Sequence, residues 1–308
     1  MSELRIALRD YLALRRALGY QLKQTEWLLG GFVSYLEEHG EPQVTTALAI
    51  AWARWPASAD PRWWHARLGA VRGFARYLAS IDPRTEVPPA DLLPAVYHRV
   101  TPYLYSDADI TALLGAAGAL SPALRAATYQ TLIGLLTVSG MRIGEAIALD
   151  RADVDDAALV MAVRKAKPGS ARTVPLHPAT AEALRGYARL RDHHFPAPAT
   201  PGFFVSTRGT RLAYSDANKT FRALIGKAGL EGRGQRHRPR AHDLRHSFAV
   251  ATLLRWHEEG ADVDARLPLL SAMLGHADPA STYWYLQAAP ELLALVAERL
   301  QQVLGEPA

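Results

Sequence analysis

Residues His242-Asp243-Leu244-Arg245-His246-Ser247-Phe248-Ala249 set three potential cations ahead of an apolar run. At 100° per residue His242, Arg245 and His246 share one side of a helix, and Leu244, Phe248, Ala251 and Arg255 the other. A helix N-terminus already carries unpaired N–H donors and the positive end of the macrodipole, so cations are out of place there unless an anion joins them. Leu253 returns to the His/Arg side, which makes the helix apolar nearly all round and therefore buried. A buried guanidinium requires a partner, and Asp243 points off its face. An incoming phosphate would satisfy the imidazoles, the guanidinium and the free amides together.

Three other segments carry the same chemistry. Ser139-Gly140-Met141-Arg142-Ile143-Gly144-Glu145 sets an arginine just past a glycine turn, Leu274-Gly275-His276 sets a histidine past another, and Lys167 lies in the turn segment K-P-G-S-A-R. Taken singly each has an ordinary reading: the arginine pairs with Glu145, and the histidine is a satisfied polar group. His242 and His246 also have the i, i+4 spacing of zinc-binding helices. Arg245 between them would repel a divalent cation, and no glutamate stands where a zinc protease needs one, so no metal is expected.

The elements that must hold these residues are mostly helical. The 308 residues suit one large or two ordinary domains, and 49% apolar with 21% charged residues describes a globular chain with ample core. From residue 1 to 82 the periodicity is helical, with Leu4, Ala7, Leu8, Tyr11 and Leu12 on one face and Leu28, Leu29, Phe32, Tyr35 and Leu36 on another. Pro83, Pro88, Pro89, Pro94 and Pro102 then mark 83–105 as an extended linker, and a second domain, 106–308, opens on a helix start at Ser106. Within it Leu159–Arg164 and Ala171–Leu176 read as a strand hairpin, and Gly202–Ser206 as a third strand. The fold class expected is therefore mainly α, with a helical N-terminal domain and an α+β second domain carrying a small β-hairpin or sheet.

No cysteine is present, which excludes disulfides and thiol nucleophiles. The apolar run Leu132–Val138 is too short to span a bilayer and the N-terminus has no secretion signal, so a cytoplasmic protein without a membrane partner is expected. Net charge is only +5, from 35 basic against 30 acidic residues, so a nucleic-acid surface must come from clustering. Two clusters qualify. The helix Arg62–Ser80 opposes an apolar stripe (Trp64, Leu68, Val71, Ala75, Leu78) with Arg62, His65, Gly69, Arg72, Gly73 and Arg76. Mid-helix glycine costs about 1 kcal/mol against alanine, and close approach to a phosphate backbone would explain two on the basic face. The loop Arg233, Arg236, His237, Arg238 and Arg240 runs into His242 and reads as a backbone-phosphate contact surface.

The ordered set G-M-R-I-G-E-A-I-A-L, K-P-G-S-A-R-T-V-P-L, H-D-L-R-H-S-F-A, L-G-H and T-Y-W-Y resembles the catalytic domain of the tyrosine recombinases, or phage integrases. The likeness covers residues 106–304, and more loosely 1–82, which are similar to that family's helical core-binding domain. It implies that Arg142 is the first catalytic arginine, His242 and Arg245 the H-x-x-R pair, His276 the late histidine and Lys167 the hairpin lysine, with Lys165 as its alternative. His246 would be supportive. Tyr285, nine residues after His276, would be the nucleophile, with Tyr283 the alternative.

The chemistry stands beside the resemblance. A phenol with pKa ~10 is scarcely ionised near neutrality, so it needs a proton acceptor, for which His242 is the candidate, and positive surroundings. Two guanidiniums supply forked donors to the non-bridging phosphate oxygens, and His276 adds another hydrogen bond. The resemblance further implies a 3′-phosphotyrosine intermediate, protonation of the leaving 5′ oxygen by Lys167, and a C-shaped clamp on double-stranded DNA. One ester replaces another, so no cofactor is expected. It also implies a homotetramer in the synaptic complex, formed from a free monomer by docking of a final helix, Pro290 to about Leu304, on a neighbour, with helper recombinases as further partners. The alternatives are a type IB-like topoisomerase and a catalytically silent DNA-binding accessory protein.

Overall fold

A computed structural model describes residues 2–93, 102–164, 171–231, 238–276 and 282. The chain divides into two compact units, residues 1–99 and 100–308.

The first unit has four helices, α1 (Glu3–Ala17), α2 (Lys23–Glu38), α3 (Thr46–Ala53) and α4 (Pro61–Ala79). Ser2, Thr45 and Asp60 cap α1, α3 and α4 with side-chain oxygens, and Pro61 supplies the fixed φ that suits a first helical position. Helix α4 packs against the other three. It therefore buries more than the one stripe its periodicity marks: Phe74 and Arg67 are buried along with Leu68, Val71, Ala75 and Leu78. The Arg67 guanidinium stacks 3.7 Å over the Trp52 ring, a cation–π contact. The described part of the proline-rich stretch, residues 83–93, lies on this unit: Glu86 N–H donates to the Val44 carbonyl at 2.9 Å, and Leu93 is buried in the core.

The second unit begins with α5 (Asp107–Gly118), whose Ser106 and Asp109 form a reciprocal capping box. Next come α6 (Ala123–Ser139), α7 (Ile143–Ala148), a small sheet, α8 (Pro178–His194), α9 (Tyr214–Lys227), α10 (Ala241–Glu258) and α11 (Val263–Leu274). The sheet is antiparallel, in the order β1 (Val154–Asp155), β2 (Val160–Val163), β3 (Arg172–Pro175), with Met161 opposite Val174 and Val163 opposite Arg172. Met161, Val163 and Val174 face the core, as the two-residue pleat requires.

The third strand expected at Gly202–Ser206 is instead Val154–Asp155. Residues 202 and 205 make only isolated bridges, to Asp150 and Arg211. Phe203, Phe204 and Val205 are all buried in succession, with both phenylalanine rings against Tyr187 of α8 at 5.5 and 5.3 Å. An unbroken apolar run plugs a core as well as it pairs in a sheet. No helix among the described residues is long and apolar enough to cross a membrane.

Candidate active site

Helix α6 ends on Gly140, in the left-handed region at φ 61, where glycine alone is unstrained. Packing also demands it. A Cβ at Gly140 would lie 2.8 Å from Leu274 Cδ2 and collide with Phe248 Cδ1. Two residues on, Arg142 caps α7: its backbone N–H donates to Glu145 Oε2 at 3.1 Å and its guanidinium Nη1 to Oε1 at 3.0 Å. Helix α11 also ends on a left-handed glycine, Gly275 at φ 66, and delivers His276.

Helix α10 brings its cations to these two glycine-ended termini. Arg245 is 1% exposed. Its Nη1 donates to the Gly140 carbonyl and its Nη2 to the Leu274 carbonyl, both at 2.8 Å. The sequence leads one to expect an external anion for this guanidinium, yet its described hydrogen bonds end on helix carbonyls. Carbonyls take up N–H donors without cancelling the charge, which an arginine cannot lose by deprotonation. Asp243, which the helical wheel turns away from this face, is fully buried and pairs with Arg240 at 3.0 Å, closing the helix start.

A third element joins from the sheet. Arg172 of β3 donates Nη1 and Nη2 to the two Glu145 oxygens at 3.1 and 2.7 Å, and Nε to the Met273 carbonyl at 2.9 Å. Burial alone would raise the Glu145 carboxyl, but N–H donors from Arg172 and Arg142 override it and hold the pKa at about 2.

The histidines titrate low. His276 is held at about 4, first by burial and then by Arg245 and Arg142. His246 falls to about 3 through burial and the neighbouring His242, whose ring meets it edge-on with centroids 4.9 Å apart. His242, although exposed at the surface, is lowered by the partial burial of its ring and then by Arg245. Near pH 7 these imidazoles are neutral, able to accept a proton or to donate a single N–H. His276 Nδ1 lies 2.7 Å from the Oγ1 of buried Thr282. Arg142, Arg172, His242 and Arg245 all act on the titration of His276, so residues scattered through the sequence form one electropositive site.

The family model described as the phage integrase family matches residues 106–291. A putative integrase/recombinase, y4rB, of Sinorhizobium fredii (strain NBRC 101917 / NGR234) is 46% identical over 308 residues, covering 98% of each chain. The chain belongs to the phage integrase family, the tyrosine recombinases. A tyrosine recombinase XerC of Azotobacter vinelandii (strain DJ / ATCC BAA-1303) is 34% identical over 74% of this chain and 70% of its own. The fold is also that of the Tn1549 transposon integrase in complex with transposon right end DNA, at TM-score 0.66 and 17% identity over 96% of this chain and 99% of that one.

The structure of this tyrosine recombinase gathers Arg142, His242, Arg245 and His276. Lys167 and its alternative Lys165, Tyr285 and its alternative Tyr283, and the final helix from Pro290 lie outside the described residues. So do Arg233, Arg236 and His237 of the basic loop. Arg238 pairs with Glu231, and Arg240 with Asp243.

On α4 the arginines expected to face DNA are partly engaged by their own unit. Arg62 pairs with Asp60 at 2.7 Å, and Arg72 donates to the Pro88 and Pro89 carbonyls at 2.8 and 2.7 Å, while Arg76 is exposed. At Gly73 a Cβ would stand 3.0 Å from the Tyr11 hydroxyl, so packing inside the unit itself favours a glycine there. The residue that sequence reasoning passed over at the site is Arg172. Its signal was faint: it shares a strand face with the apolar Val174, an inward position unusual for an arginine.

Proposed function

We propose that this recombinase cuts and rejoins double-stranded DNA at a specific site, with Tyr285 as nucleophile. Its phenolic oxygen forms the bond to phosphorus, the phosphorus–O5′ bond breaks, and a 3′-phosphotyrosine and a free 5′-hydroxyl result. His242, neutral near pH 7, accepts the phenolic proton. Arg142 and Arg245 neutralise the charge that develops on the non-bridging oxygens, where preorganised donors are worth most. Lys167 gives a proton to the departing oxygen. Rejoining reverses these steps: a 5′-hydroxyl attacks the phosphotyrosine, the new P–O5′ bond forms as the bond to Tyr285 breaks, and the phenol regains its proton, so the energy of the first ester is kept in the protein link meanwhile.

His276 supplies one further donor. If Thr282 donates its O–H to His276 Nδ1, the imidazole proton must sit on Nε2, free to bond a phosphate oxygen. The observation that carries the reading is the double carbonyl grip on Arg245, which draws the ends of α6 and α11 to one point together with the residues they carry. DNA-bound assembly as a tetramer fits the same reading, and a protein of the same fold, lambda integrase, forms a tetramer bound to a Holliday junction.

A nicked suicide substrate carrying the recombination site tests it. Wild type should trap as a covalent protein–DNA adduct and Tyr285→Phe should not. No adduct with wild type on its proper site overturns the enzymatic reading, whereas loss in Tyr283→Phe with survival in Tyr285→Phe moves only the nucleophile.

A further inference from the structure

Glu145 is a largely buried carboxylate placed directly against Arg142. Alone with it, the glutamate would work against catalysis. An arginine whose guanidinium is fully embraced by a carboxylate in a site poor in water offers a phosphate little net charge. The geometry shows a second guanidinium on the same carboxylate. Arg172 takes both oxygens in a forked contact, Nη1 to Oε1 at 3.1 Å and Nη2 to Oε2 at 2.7 Å, while Arg142 reaches Oε1 through Nη1 alone. The Arg172 and Glu145 side chains are 10% and 12% exposed against 41% for Arg142. The glutamate thus shares its deeper contact with Arg172 and leaves Arg142 at the accessible end. Two guanidiniums on one carboxylate leave one positive charge over.

We infer that Arg172 is a positioning residue that acts through Glu145: by occupying the carboxylate it keeps Arg142 cationic in effect and turned outward to the scissile phosphate. Without Arg172, Glu145 stays largely shielded from solvent, and among the described residues the charge left to pair with it is Arg142, which swings into the forked contact and is lost to the phosphate. The same guanidinium ties β3 to the end of α11 through the Met273 carbonyl at 2.9 Å, so its loss has two separable consequences, one of charge and one of tethering. This inference rests on the proposed DNA-cleaving function.

A double-mutant cycle separates the two. Adduct formation on the nicked substrate and affinity for uncleaved DNA are measured for wild type, Arg172→Met, Glu145→Gln and the double variant, with thermal unfolding as the check on folding. Charge balance requires Arg172→Met to lower the cleavage rate about a hundredfold, the effect of losing one preorganised donor, with little change in DNA affinity. Adding Glu145→Gln to Arg172→Met should then restore at least about tenfold of the lost rate, because the neutral amide no longer captures Arg142. Arg172→Lys, which keeps the charge and loses the fork, should stay within about tenfold of wild type.

A double variant as slow as Arg172→Met would mean that Arg172 is a tether only, and Arg172→Met at wild-type rate would remove it from the site altogether; either overturns the inference. Should Arg172→Met not fold, Arg172→Gln against Arg172→Lys makes the same comparison of charge. Failure of wild type to form an adduct would instead sink the functional reading beneath it.

Discussion

The Nδ1 of His276 is already engaged by Thr282 at 2.7 Å, so the threonine controls the orientation of the ring and leaves Nε2 as the nitrogen open to a phosphate. Thr282→Val keeps the side-chain volume and removes that control. Cleavage should fall about tenfold, the equivalent of one ordinary hydrogen bond, with unchanged DNA affinity. The same ring gives a pH signature. Its folded pKa is about 4 against 6.5 for a free imidazole, so the unfolded chain binds protons that the folded one refuses. The contribution to stability is complete above about pH 6.5 and is lost as pH falls towards the folded value. His246, at about 3, extends the loss further into acid. The melting temperature of the DNA-free protein should be level above pH 6.5 and drop below it, and His246→Gln should flatten that drop.

At the scale of elements, the two glycine-ended helices and the start of α10 form one structure. Gly140→Ala adds a Cβ where φ is 61 and where Phe248 and Leu274 leave no space. Left-handed strain and overpacking together should cost about 3 kcal/mol in urea unfolding. Cleavage should suffer in the folded fraction too, because the carbonyl that holds Arg245 shifts with the backbone.

Much at this level is legible in the sequence. The capped start at Ser106, the hairpin on either side of Lys167 and the cationic face of α10 follow from local patterns of period 2 or 3.6. What escapes is tertiary. The acceptors of Arg245 stand 105 and 29 residues away and are backbone atoms, which have no sequence signature. Periodicity turns Asp243 off the Arg245 face but does not show that it is fully buried against Arg240, because a helical wheel shows direction and not depth. Arg172 is hidden among strand residues because its meaning depends on Glu145 and Met273, elements it meets only after folding.

Across the whole molecule, the division of labour is one of charge as well as shape. With a net charge of +5, affinity for DNA must come from local clusters, and each phosphate contact removed should lower the slope of log affinity against log salt by about one. Arg76→Ala removes an exposed charge of α4 and should reduce that slope. Arg72→Ala breaks two bonds to backbone carbonyls and should instead show itself in the unfolding of the first unit. Equal slopes for wild type and Arg76→Ala would take α4 off the DNA surface. The helical character of residues 1–82 can be read from periodicity, but the burial of Arg67 at the edge of the apolar stripe of α4 cannot, since it depends on the other helices packed around it and on the Trp52 ring that α3 supplies.

The grip of Arg245 on residues 140 and 274 also bears on when the protein becomes dangerous to a genome. A nascent chain or clipped fragment that stops before Met273 already contains Arg142, Glu145, Arg172 and Arg245, yet it lacks the acceptors that hold two of these guanidiniums in place. Contacts between distant parts of a sequence are closed late in folding. On the proposed chemistry, a copy that stops short of the last turn of α11 therefore lacks both the carbonyls that fix Arg172 and Arg245 and the tyrosine that would attack DNA, and is inert on both counts.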